Sequence, residues 1–128
     1  MNIVIIGSGG REHALCYKLL KSSKINKIYC IPGNAGTDEI ATNIFADIND
    51  FDEIYKIVLK LNVELIVVGP EIPLVNGIVD YFEKKNIKIF GPNKKCSQLE
   101  GSKFFMKNIC KKYNIPVSYT HLTLPTIG

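Results

Sequence analysis

The chain has 128 residues, 46% hydrophobic and 22% charged, enough for one domain with its own core and ordinary for a soluble globular fold. No stretch approaches the roughly 18 apolar residues of a membrane span, and the N-terminus reads as a strand without a basic leader, so no membrane partner is expected and a cytoplasmic location is. The formal charge is +4, with nine of the fifteen lysines between Lys84 and Lys112; they alternate with apolar positions at helical spacing and have no arginine among them, which favours a solvated face over nucleic-acid binding.

Strands and helices alternate from the first residues. Residues 3–6, Ile-Val-Ile-Ile, are β-branched and apolar throughout, as a strand buried on both faces is. They run into Gly7-Ser8-Gly9-Gly10 and then a helix over 11–22, with Ala14, Leu15 and Leu19 toward the core. Residues 28–31 form a second strand, ending in Pro32-Gly33-Asn34-Ala35-Gly36-Thr37, which reads as a loop. A weak third strand is expected at 43–46. Asp50 then caps a helix, with Glu53 at the reciprocal position and Ile54, Ile57, Val58 and Leu61 as its apolar stripe. A fourth strand, 65–68, ends in Gly69-Pro70-Glu71-Ile72-Pro73-Leu74, and a helix through Val75, Ile78, Val79 and Phe82 follows. The fifth strand, 87–90, closes at Gly91-Pro92, and 96–113 reads as helical with a break near Gly101. The four cysteines, Cys16, Cys30, Cys96 and Cys110, are scattered and fit buried thiols in a reducing compartment.

This alternation predicts an α/β fold with a doubly wound parallel sheet. Such sheets bind ligands at the carboxyl ends of their strands, near a switch in strand order. The glycine loops after strands one, two and four belong at that edge and should converge in space. Glycines there let a ligand approach the backbone, and a helix start offers unpaired N–H groups to an anion. A dinucleotide is disfavoured, because Glu12 stands where its fingerprint needs a small residue and Pro32-Gly33 stands where it needs a ribose-binding acid. No phosphate-binding loop of the G-x-x-x-x-G-K-S/T type, no metal-spaced His/Cys set and no G-x-S-x-G is present.

Five motifs, in order, resemble the N-terminal region of the glycinamide ribonucleotide synthetase (phosphoribosylamine–glycine ligase) family. They are Gly7-Ser8-Gly9-Gly10-Arg11-Glu12-His13-Ala14, Pro32-Gly33-Asn34-Ala35-Gly36-Thr37, Val68-Gly69-Pro70-Glu71-Ile72-Pro73-Leu74-Val75, Ile89-Phe90-Gly91-Pro92 and Leu99-Glu100-Gly101-Ser102-Lys103. The resemblance covers about residues 1–116. It implies a Rossmann-like domain preceding an ATP-grasp domain, with a phosphoribosylamine-binding domain over 1–100 and the start of the ATP-grasp region over 101–116. The family reaction joins glycine to 5-phosphoribosylamine with ATP and Mg²⁺ (or Mn²⁺), giving glycinamide ribonucleotide, ADP and phosphate in purine synthesis. Its nucleotide and metal sites belong to the ATP-grasp part, so this chain alone is expected to carry no catalytic residue, to bind neither ATP nor metal, and to be inactive.

Laid over the family, the substrate-binding candidates are Gly9, Gly10, Arg11, Glu12, Asn34, Thr37, Gly69, Pro70 and Glu71. Gly9 and Gly10 would offer backbone N–H groups to the sugar phosphate or ribose. Arg11 pairs either with phosphate or with a nearby carboxylate. Glu12 accepts ribose hydroxyls or caps its helix. Glu71, held between Pro70 and Pro73, is the leading acceptor for ribose hydroxyls. Asn34 and Thr37 line the pocket or shape the turn. His13 reads as a packed helix residue, and His121 carries no assigned role. Residues 117–128 depart from the family pattern; Val-Ser-Tyr-Thr-His-Leu resembles a translated sequencing-adapter scar, and the authentic protein is expected to run to about Pro116. Two alternatives stay open: a stand-alone sugar-phosphate or nucleotide-binding module, and the front domain of another ATP-grasp ligase.

Overall fold

The structure, a computed structural model, describes residues 1–91 and 102–116, with side chains described for 1–91 and 107–116. Five parallel strands form one sheet in the order β3-β2-β1-β4-β5. They are β1 (Asn2–Gly7), β2 (Lys27–Pro32), β3 (Thr42–Asn43), β4 (Leu65–Val68) and β5 (Lys88–Phe90). The helices are α1 (Gly10–Leu19), α2 (Ala35–Ile40), α3 (Phe51–Lys60), α4 (Glu71–Val75), α5 (Ile78–Glu83) and α6 (Ser102–Tyr113).

The apolar runs form the central strands because both faces of the sheet are covered. Along β1, Ile3 and Ile5 face a layer containing Leu15, Cys16 and Leu19 of α1 and Ile109 and Cys110 of α6. Val4 and Ile6 face the opposite layer, with Ile54 and Val58 of α3 and Ile78 and Phe82 of α5. β4 divides in the same way, Leu65 and Val67 to the first layer and Ile66 and Val68 to the second. The expected doubly wound α/β fold is therefore the observed one.

Several local expectations are corrected. α1 ends at Leu19, and Ala14 is exposed because the buried face runs through Glu12, Leu15, Cys16 and Leu19, a spacing that leaves Ala14 on the far side. The segment after Pro32 turns into α2, capped by Asn34, within two residues. β3 is only Thr42–Asn43. Asp50 caps α3 by accepting from the Glu53 amide at 3.2 Å; Ile54 and Val58 are fully covered, with Ile57 and Leu61 packed partly buried beside them. The helix expected through Val75 is two helices, split at Gly77, whose φ of +90° ends the first, and Val75 is left 78% exposed. Residues 102–113 are helical as expected; the expected break near Gly101, Cys96 and the tail 117–128 lie outside the described residues. Cys16 and Cys30 are buried free thiols, and Cys110 is buried. Lys84, Lys85, Lys88, Lys107, Lys111 and Lys112 are all exposed, in keeping with a solvated face.

Candidate functional site

The register fixes where the glycine loops lie. Gly7 is level with Pro32, and Ile6 is level with both Ile31 and Val68. The loops after β1, β2 and β4 therefore leave the same edge of the sheet. β1 and β4 are the strands between which the order reverses, the place where a parallel sheet opens a crevice. The loop backbones are also bonded to the strands at this edge: Gly33 N–H donates to the Gly7 carbonyl at 3.1 Å, and Gly69 N–H to the Ile6 carbonyl at 2.9 Å.

Glu12 joins the first loop to the third. It stands at the third position of α1, where its Oε1 accepts from Gly9 N–H at 2.8 Å. Its side chain is 93% covered, with 7% exposure. The cover comes from residues without side chains. A Cβ on Gly7 would meet Glu12 Cγ at 2.5 Å, and one on Gly69 would meet Glu12 Oε2 at 1.8 Å. The capping role expected as one of two readings is thus present, and the carboxylate sits at the positive end of α1, where it is electrostatically favoured. One consequence corrects a sequence expectation: the Gly9 amide is engaged by Glu12. Gly10, at the first helical position, has no acceptor within the helix and is exposed, as are Ser8 and Arg11.

Asn34 joins the second loop to the first. Its Oδ1 accepts from the Thr37 amide at 2.9 Å, while its Nδ2 donates to the Ser8 carbonyl at 2.8 Å. Thr37, fully buried, returns the cap by accepting from Asn34 N–H at 2.8 Å. Both side chains therefore shape the loops, and Thr37 does not line an open surface. His13 packs over the same turn: a Cβ on Gly36 would meet its ring at 2.5 Å. Beneath the turn lie two fully buried thiols. The Cys16 thiol donates to Cys30, which lowers Cys30 below the ordinary thiol range and raises Cys16 above it; the Thr37 hydroxyl lowers Cys30 further, against its burial and the Glu12 charge.

The third loop presents Glu71. Pro70 caps α4, Glu71 is its first residue, and Pro73 is buried within the first turn, where a missing N–H costs nothing. Glu71 is exposed, and among the described residues no hydrogen bond or ion pair engages its carboxylate. The same holds for the Arg11 guanidinium, so the salt bridge, one of its two readings, has no partner among the described residues. The edge thus carries a free cation, a free anion and the Gly10 amide around a packed centre of Glu12, Gly9 and Gly69. Among the described residues no three His, Cys, Asp or Glu side chains come together as a metal site, and no helix is long and apolar enough to cross a membrane.

A family model described as "Phosphoribosylglycinamide synthetase, N domain" matches residues 1–100. The chain belongs to this family. Among curated relatives, the phosphoribosylamine–glycine ligase of Caldanaerobacter subterraneus is 46% identical over 116 residues, covering 91% of this chain and 28% of the relative. That of Clostridium acetobutylicum is 48% identical over 115 residues, covering 90% of this chain and 28% of the relative. A crystal structure of the Thermotoga maritima phosphoribosylamine–glycine ligase aligns with 89% of this chain and 25% of that one, at 32% identity and a TM-score of 0.47. The chain spans a little over a quarter of the length of these synthetase relatives.

Proposed function

We propose that this chain is the part of a phosphoribosylamine–glycine ligase that holds 5-phosphoribosylamine at the glycine edge of its sheet, for ligation to glycine with ATP and Mg²⁺ bound by other parts of the protein. The observation that carries this reading is the joining of three family motifs into one surface, in which Glu12 and Asn34 are used internally and Gly10, Arg11 and Glu71 are left facing out. The phosphate of the substrate pairs with Arg11 and the Gly10 amide. A phosphate deeper in the α1 terminus would meet the Glu12 carboxylate, so the sugar phosphate lies outside Gly9. Glu71 accepts from the ribose hydroxyls. Gly69 and Pro70 set the height of that carboxylate above the sheet, and Asn34 and Thr37 support the floor.

By the family resemblance, ATP and metal are assigned to an ATP-grasp region beginning at about residue 101, after the binding domain over 1–100. The ligation chemistry belongs there too. The role left to this chain is to hold the amine acceptor, bringing it to the activated carboxylate in one orientation.

The test is an NMR titration of this chain with ribose 5-phosphate, a stable stand-in for phosphoribosylamine. Shift changes are expected at Gly9, Gly10, Arg11, Gly69 and Glu71. Changes confined to Lys84, Lys85, Lys88, Lys107, Lys111 and Lys112 would overturn the reading.

A further inference from the structure

β3 is too short to add much to the sheet, yet it carries a side chain on which the second loop depends. Thr42 and Asn43 pair with Tyr29 and Cys30 of β2 at the sheet's outer edge. The Asn43 carboxamide turns inward and uses both of its ends. Its Oδ1 accepts from the Thr37 hydroxyl at 2.7 Å, and its Nδ2 donates to the Asn34 carbonyl at 2.8 Å. That pairing fixes the orientation of the amide, since a flip would set its oxygen against the Asn34 carbonyl. Gly33 leaves room for it: with φ at +77°, a Cβ there would stand 2.0 Å from Asn43 Oδ1.

These bonds continue toward the proposed ligand surface. Thr37 is held by Asn43 and holds Asn34, whose Nδ2 reaches the Ser8 carbonyl at 2.8 Å and the Gly9 carbonyl at 3.3 Å. The Gly9 amide meets Glu12, and Glu12 lies against Gly69. One unbroken series of contacts therefore runs from the edge strand to the loop after β4, with every polar end in the Asn43–Thr37–Asn34 part matched to a partner. We infer that Asn43 is a positioning residue for the ligand site: it does not touch the substrate, but it sets the turn at Gly33–Thr37 and, through Asn34, the backbone at Ser8 and Gly9. The inference rests on the reading of this edge as the sugar-phosphate site, although the loop-holding part stands without it.

Asn43 serves as both acceptor and donor, beside the Asn34 carbonyl at 3.0 Å as a second acceptor for the Thr37 hydroxyl, and this double use gives a chemical test. Asn43→Ala removes both bonds. Asn43→Asp keeps the shape and the acceptor but sets a carboxylate oxygen against the Asn34 carbonyl; protonation of that carboxyl restores a donor. The measurements are amide hydrogen exchange by NMR on the free chain and titration with ribose 5-phosphate. With Asn43→Ala, exchange at Asn34 and Thr37 is expected to rise at least tenfold and the Kd for ribose 5-phosphate at least tenfold, with β1 and β4 amides protected as before. With Asn43→Asp, protection at Asn34 and Thr37 should be low at neutral pH and recover as the carboxyl is protonated, while the parent chain shows no such recovery. Unchanged exchange at Asn34 and Thr37, or equal loss of protection across β1 and β4, overturns the inference. Faster loop exchange with no ribose 5-phosphate binding by the parent chain supports the positioning role and refutes the functional reading instead.

Discussion

Glu12 on α1 and Gly69 after β4 occupy one space: a Cβ on residue 69 would stand 1.8 Å from Glu12 Oε2 and 2.7 Å from its Cδ. The carboxylate cannot simply swing away, because it is held by the Gly9 amide at 2.8 Å and is almost fully covered. Gly69→Ala is therefore expected to destabilise the chain by about 1–3 kcal/mol, the usual range for overpacking. Glu12→Ala should cost about 1.5–3 kcal/mol through the lost charge-assisted bond. In the Glu12→Ala background the alanine at 69 has room, and its added cost should fall below about 0.5 kcal/mol. Urea denaturation of the four proteins measures this coupling. Strictly additive costs would show that the two residues do not constrain each other.

On the proposed reading, Glu71 serves binding and not the fold. Its carboxylate is exposed and unpartnered among the described residues. Glu71→Ala should leave the melting temperature unchanged and weaken ribose 5-phosphate binding by about 10- to 150-fold, corresponding to the roughly 1.5–3 kcal/mol of a charge-assisted hydrogen bond. In the longer enzyme the same change should raise the KM for phosphoribosylamine and leave ATP affinity alone. Equal ribose 5-phosphate affinity in parent and variant would remove Glu71 from the site.

Tyr81 supplies a pH signature on the opposite helical layer. Its hydroxyl donates to Asp52, and that bond, with the nearby carboxylate charge, pushes the phenol from 10.0 up to about 12. The neutral phenol is thus favoured by the folded state. Its contribution to stability is complete below about pH 10 and is lost as the pH rises through about 12. A tyrosinate absorbance titration should show a component near pH 12 that Tyr81→Phe removes and Asp52→Asn shifts to lower pH, beside Tyr113, whose phenol is also raised by burial. A component near pH 12 that survives Tyr81→Phe undiminished would assign it to another tyrosine.

The sheet was legible because its evidence is local. Ile3 to Ile6 and Leu65 to Val68 are apolar at every position, and only strands covered on both faces tolerate that. The convergence of the glycine loops followed from their places at strand ends. α2 was not legible, because Asn34 and Thr37 form a capping box from the residue types that also make turns. The partition of roles at the site was hidden for a different reason. Whether Glu12 meets a ligand or the Gly9 amide depends on how closely Gly69 approaches, and that approach is set by pairing between strands far apart in sequence. Asn43 carried no signal at all: two polar residues between apolar ones do not announce a clamp on a turn formed earlier in the chain.

Gly77 separates backbone strain from crowding, and so controls the interpretation of the glycine variants at the site. It links α4 to α5 with φ at +90°, and a Cβ added there would meet nothing within 4 Å. Any cost of substitution is therefore conformational. Gly77→Ala should destabilise by about 1–2 kcal/mol, the penalty of the left-handed region for a residue with a Cβ. Gly77→Asn should recover part of that loss, because asparagine tolerates this region better than alanine does. At Gly69, by contrast, the cost comes from Glu12, and asparagine should be worse than alanine because it is larger. The ranking of Ala and Asn is thus expected to reverse between the two sites. Thermal denaturation of the four single variants measures it, and the same ranking at both positions would mean that the Glu12–Gly69 contact is not what excludes a side chain after β4.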